Sequence, residues 1–173
     1  MKLKHLFIGL LAVTLASCGG SEAPKTETAP AESMIETEAP AETPAEEVDE
    51  NAVVLEIAGD DAMKFDKKEL RVKEGQEVTV VLTHTGKMAK AAMGHNFVVL
   101  AAGTDMAEYA TEAMQSPDTD YVIEGDQVIA HTSTIGGGET TKVTFTAPAA
   151  GTYKFLCTFP GHYAMMNGDF IVE

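Results

Sequence analysis

Residues 152–172 read Thr152-Tyr-Lys-Phe-Leu-Cys157-Thr-Phe-Pro-Gly-His162-Tyr-Ala-Met-Met166-Asn-Gly-Asp169-Phe-Ile-Val172. The flanks, Thr152 to Cys157 and Asp169 to Val172, have the length and the β-branched and aromatic content of short strands. Between them lies a loop with Pro160 and Gly161 that carries a thiol, an imidazole and a thioether. Cys157 and His162 are five residues apart and His162 and Met166 four. A loop held at both ends by strands can curl such donors toward one point. Each donor alone says little. A buried cysteine is most often a small core residue, a loop histidine is most often polar surface, and Met166 is one of nine methionines that fill cores by default.

Upstream, Met93-Gly94-His95-Asn96 supplies a second imidazole. Two histidines and a cysteine in a plane, with a long, weak axial methionine, form the ligand set of a blue-copper electron-transfer site. A zinc site built from His95, Cys157 and His162 is also chemically open.

The rest of the chain reads as what holds or delivers that loop. Val53 to Ile57 is a first strand, ended by Gly59-Asp60-Asp61, and Leu70 to Gly75 a strand entering a turn. Glu77 to His84 alternates, with Val78, Val80 and Leu82 on one face and Thr79, Val81 and Thr83 on the other. Asn96 to Leu100, Gln127 to His131 and Thr141 to Thr146 complete the strands. Thr104 to Ser116 reads as the only helix, with Asp105 and Glu108 as a capping box and Met106, Ala110, Ala113 and Met114 on one face. Short strands with turn signals at Gly136-Gly-Gly138 and Pro148-Ala-Ala-Gly151 point to an all-β sandwich.

Residues 1–18 read as an export signal. Lys2 and Lys4 precede an apolar run from Leu6 to Leu15 that is too short to span a bilayer, and Leu15-Ala16-Ser17-Cys18 follows. This pattern resembles the bacterial lipoprotein signal, which implies cleavage before Cys18 and a multiply acylated Cys18 anchoring the chain to a membrane. Gly19 in place of Asp leans weakly toward the outer membrane. Residues 19–50 are rich in Ala, Pro, Glu and Thr and hold ten acids against one lysine. Such a segment buries too little apolar surface to fold and reads as a disordered acidic linker. Extended at about 3.1 Å per residue, it would reach roughly 90 Å. Residues 51–173 suit one small domain with a single core.

Net charge is −15, and no basic patch is available to neutralise phosphates, so nucleic-acid binding is excluded. The only two cysteines are Cys18 and Cys157. A disulfide between them would tie a membrane end to a domain interior, so Cys157 stays free, and metal ligation accounts for a free thiol in an exported protein.

Met93-Gly-His-Asn96, Val128-Ile-Ala-His-Thr132 and Cys157-Thr-Phe-Pro-Gly-His162 with Met166 resemble the azurin family of cupredoxins, as does Gly59-Asp-Asp-Ala-Met-Lys-Phe65. The resemblance runs from about Val54 to Val172. It implies a cupredoxin-like Greek-key β-sandwich with one short helix in an inserted flap, holding one type 1 copper that cycles between Cu(I) and Cu(II). By the same resemblance His95, Cys157 and His162 are equatorial ligands, Met166 is the axial ligand and the Gly94 carbonyl a very weak opposite contact. Asn96 and the Phe159 amide would hydrogen-bond around the sulfur, and Met165 would face the surface. The ring edge of His162, on an exposed loop, would be the electron's exit. Around it an apolar patch of Met63, Ala92, Met93, Met106, Pro160 and Met165 would dock envelope redox proteins such as cytochromes or reductases. His84 and His131 are read as structural or titrating residues.

Two departures stand out. The disulfide that azurins place between the first strand and the region of Gly75 has no cysteines here, and Phe97 stands where a buried Trp is frequent. The implied function is a periplasmic or envelope electron carrier, not an enzyme. Copper storage or delivery through the same ligands is the alternative, and a nucleophilic Cys157 with a histidine base lacks an evident oxyanion hole or orienting acid.

Overall fold

The computed structural model describes residues 51–173; the signal at 1–18, the lipid on Cys18 and the linker at 19–50 lie outside the described residues. The strands, in chain order, are β1 (Ala52–Gly59), β2 (Glu69–Val72), β3 (Glu77–His84), β4 (Val98–Leu100), β5 (Val128–His131), β6 (Thr140–Thr146), β7 (Gly151–Leu156) and β8 (Asn167–Val172). They form a three-stranded sheet in the order β1-β3-β6 and a five-stranded sheet in the order β2-β8-β7-β4-β5. β1 runs parallel to β3, and β2 parallel to β8, while the other neighbours are antiparallel. Neighbours distant in sequence give the sandwich its crossovers.

The alternation in β3 decides which face turns inward. Val78, Val80 and Leu82 are fully buried, whereas Thr79 and Thr83 bond across the outer face to Thr144 and Thr140 at 2.8 and 3.1 Å. These apolar residues share one core with Leu70, Phe155 and Phe170 of the other sheet. Phe97 is fully buried and stacks on Phe155 at 5.1 Å, so a benzyl ring fills the central slot with no indole N–H to satisfy. Cys157 and Met166 belong to the same core cluster.

The expected helix is present but shorter, α2 at Met106–Ala113, because Asp105 takes the amides of Ala107 and Glu108 and Pro117 lies just beyond its end. Only the Asp105 half of the capping box forms among the described residues. A preceding helix, α1 at Lys90–Met93, and a 3-10 turn at Pro117–Thr119 were not expected. A single turn ending at Gly94 is too short to show a 3.6-residue pattern. Tyr109 on α2 is buried and exchanges hydrogen bonds with the backbone of Ile123, which fastens the flap into a smaller second core.

Candidate metal centre

His95 arrives at the site on a rigid segment. The turn of α1 ends at Gly94, and His95 then forms an isolated antiparallel bridge with Ile135, His95 N donating at 2.9 Å and Ile135 N at 2.8 Å. Gly94 is packed so tightly that a Cβ there would lie 2.7 Å from Phe159 Cδ2, Thr134 Cγ2 and the Lys90 carbonyl. Cys157 directly follows β7. Its amide donates to Met166 O at 2.9 Å, closing the neck of the loop, while His162 N donates to Phe159 O at 3.0 Å and Met166 N to His162 O at 2.8 Å. Gly161 makes this coil at φ 83°, a conformation that a side chain resists.

These constraints bring three donors together. One ligand atom from each of His95, Cys157 and His162 lies within 4.8 Å of the others, and all three residues are buried. Cys157 Sγ is 3.7 Å from His162 Nδ1 and 3.9 Å from the Gly94 carbonyl oxygen. Met166 is fully buried at the loop's far end. Met165 beside it is 48 % exposed, the outward orientation anticipated for it.

Hydrogen bonding fixes the tautomer of His95. His95 Nε2 lies 2.9 Å from the carbonyl of Asp60 and so carries the proton. Its Nδ1 keeps the lone pair, and among the described residues it is the one buried side-chain N or O atom without a hydrogen-bond partner. An orphaned lone pair beside a buried thiol and a second imidazole fits a soft or borderline metal ion.

Burial sets the electrostatics. It pushes the Cys157 thiol up to about 12, against the opposing pull of the Asn96 and Phe159 amides that point at the sulfur. Burial, reinforced by the neighbouring His95 and His84, lowers His162 to about 4, and burial likewise lowers His95. With no cation bound, burial thus favours the protonated thiol and the neutral imidazoles. A cation bound between these donors would be what holds the thiolate form there.

Asn96 reaches beyond its amide. Its Oδ1 accepts from Thr158 N at 2.8 Å, and its Nδ2 donates to Thr158 Oγ1 at 2.7 Å and to Asp120 O at 2.9 Å. It thus couples the segment bearing His95 to the segment bearing Cys157. Phe159 also packs its ring on His162, with centroids 4.8 Å apart.

Two features depart from the sequence reading. His162 was expected at an exposed edge, yet it is only 2 % exposed, because Phe159 and His95 pack against it; its loop is exposed at Pro160, Gly161 and Ala164 instead. Of the expected patch, Ala92, Pro160 and Met165 are exposed, while Met63, Met93 and Met106 are half-buried, Met63 and Met106 packing against the two cores.

Sequence reasoning missed Gly59 as a residue that shapes the site, and read His84 as structural or titrating without placing it against His95. Gly59 is so close that a Cβ would meet His95 Cδ2 at 2.7 Å. His84 is fully buried and stacks on His95 with centroids 4.1 Å apart and planes 18° apart. Its Nδ1 accepts from Gly86 N at 3.0 Å and its Nε2 lies 2.8 Å from Met93 O, so both nitrogens are used. His131 lies outside this donor cluster, and its Nε2 is 2.6 Å from Glu124 Oε1. The quoted stretch from Gly59 to Phe65 carried the signal for Gly59, but a glycine at a strand end reads first as a turn.

Comparison with known proteins gives a consistent picture. Residues 51–173 match the family described as copper binding proteins, plastocyanin/azurin family. The chain is 48 % identical over 120 residues to azurin of Alcaligenes faecalis, covering 66 % of this chain and 93 % of that protein. It is 45 % identical over 116 residues to outer membrane protein H.8 of Neisseria gonorrhoeae, covering 65 % and 63 % of the respective chains. Among solved structures, auracyanin A of Chloroflexus aurantiacus, described as a "blue" copper protein, superposes with a TM-score of 0.64 at 36 % identity, covering 70 % of this chain and 99 % of that one.

Proposed function

The chain belongs to the plastocyanin/azurin family of copper-binding proteins, and from that premise we propose that it is a lipid-anchored blue-copper protein passing single electrons between redox partners of the cell envelope. The observation that carries the reading is the unpartnered His95 Nδ1 facing a free, buried Cys157 and His162. Copper bound there supplies a one-electron couple between Cu(I) and Cu(II).

The protein's own part is to keep the donors still. His95, Cys157 and His162 would hold the ion, with the Met166 thioether and the Gly94 carbonyl as weaker contacts. The Asp60 carbonyl orients His95, and the amides of Asn96 and Phe159 stabilise the thiolate. Because every donor is seated on a strand, a bridge or a hydrogen-bonded turn, little rearranges between oxidation states, which favours fast transfer. A fastened site also argues for shuttling over delivery, which needs easy release. His162, just beneath the loop surface, would conduct the electron to a partner docked on Met165, Pro160 and Ala92. A patch this small suits quick release.

The signal at 1–18, acylated Cys18 and the acidic tether at 19–50 would keep the domain on the membrane with room to swing between partners. Outer-membrane placement gains support from the similarity to a protein named for that membrane. The test is to add Cu(II) to the purified protein, look for the intense visible thiolate-to-copper band, and cycle it by one-electron reduction. Colour with reversible cycling supports the carrier. Rapid copper loss to a chelator on reduction would favour delivery, and a Cys157→Ser variant that stays blue would overturn the ligand set. For the anchor, globomycin-sensitive processing and labelling by a fatty-acid probe are expected in the producing cell and lost in Cys18→Ala.

A further inference from the structure

We propose that Lys68 is a positioning residue for the copper loop, an ammonium clamp that holds the limb carrying Met166; this rests on the reading of the site given above. Lys68 sits in the connection between β1 and β2, about a hundred residues from the loop in sequence, and its side chain is exposed. Its Nζ nonetheless donates to the carbonyls of Met165 at 2.6 Å and Asn167 at 3.0 Å. Those carbonyls bracket Met166 on both sides. The backbone of Lys68 joins the same place, its carbonyl accepting from Asp169 N at 2.9 Å at the start of β8.

The rest of the limb explains why a clamp matters. On its inner side Met166 is pinned by two backbone bonds, to His162 O and from Cys157 N. On its outer side Met165 is exposed and held by its amide bond to His162 O at 3.0 Å, while Asn167 pairs with Leu156 of β7 and donates from Nδ2 to Tyr163 O at 2.7 Å. Gly168 adds no side chain and is backed directly by Phe155 and the Lys68 carbonyl. A cation shared by the Met165 and Asn167 carbonyls adds a tie from the solvent side, and charged donors form the stronger hydrogen bonds. No acidic side chain within ion-pair distance of Lys68 competes for it among the described residues, since the protein's ion pairs use Lys67, Arg71, Lys90, Lys154 and histidines instead.

The test compares Lys68→Met, which keeps the aliphatic stem and the backbone, with Lys68→Arg, which keeps the charge and the donors. In the full chain without metal, amide hydrogen exchange at Met166 and Asn167 should quicken about fivefold in Lys68→Met, the loss of roughly one net hydrogen bond's worth of protection, while amides of β3 and β6 stay unchanged. With copper bound and reduced, transfer of Cu(I) to a chelator should speed up by a similar factor, and Lys68→Arg should restore most of both effects. If the local exchange matches wild type, or exchange rises equally in β3, Lys68 is a surface lysine with no positioning role and the proposal falls. If the wild-type protein itself takes up no copper while Lys68→Met still loosens the loop, the clamp stands and the metal reading fails.

Discussion

Substituting Gly59 with alanine tests whether the histidine pocket is as closely packed as the geometry demands. The added Cβ would sit 2.7 Å from His95 Cδ2 and 3.2 Å from Met166 Cε, against about 3.5–4.0 Å for a relaxed carbon contact. One side must therefore move by nearly an ångström at the imidazole. Gly59 is fixed by pairing along β1 with His84, and the backbone there is not left-handed, so no dihedral strain enters. His95 has little freedom to move: Nε2 is tied to Asp60 O at 2.9 Å, and one face of the ring is stacked on His84 with centroids 4.1 Å apart. Overpacking of a close-packed interior costs about 1–3 kcal/mol. We expect Gly59→Ala to lose about 2 kcal/mol of stability without metal, read as a lower midpoint in urea at an unchanged slope. Displacing the ring also separates its Nδ1 from Cys157, so copper affinity should fall by at least tenfold in competition with a chelator, with the visible band weakened or shifted. A variant with the wild-type midpoint and band would refute the reasoning, since it would mean that the pocket yields freely.

Truncating the axial candidate, Met166→Ala, empties a fully buried position and should cost the metal-free protein about 2–4 kcal/mol, while copper and colour persist and voltammetry shows a displaced reduction potential. Acid should destabilise the metal-free form through His162. Its folded value of about 4 lies below the ordinary 6.5, so the unfolded chain binds the proton more readily. The stability due to the neutral ring is complete above pH 6.5 and is lost as pH falls toward 4, up to about 3 kcal/mol; denaturation midpoints between pH 7 and 4 check this, and His162→Gln should flatten the profile. Copper uptake should release about one proton, because the Cys157 thiol, raised to about 12, is protonated until the ion arrives. Titration in weakly buffered solution reads that proton directly.

Much of this protein was legible along the chain. The two-residue alternation of Val78, Val80 and Leu82 declared which face of β3 is buried, since successive side chains of a strand must point to opposite sides. Cys157 and His162 declared themselves by spacing, because one hydrogen-bonded turn between two strands brings nearby donors together; Met166, buried at the end of the same turn, is proposed as their weaker companion. His95, sixty-two residues before Cys157, was joined to them by donor type and by resemblance; no local rule reaches across β4, the flap and three further strands. Tertiary packing alone decided that Gly59 abuts His95, that His84 stacks on its ring, that Asp60 holds its proton and that Lys68 spans the loop. It also decided that His162 lies covered, against expectation. Donor type and order are local properties written residue by residue, whereas protonation, ring orientation and accessibility depend on which distant atoms fill the surrounding space.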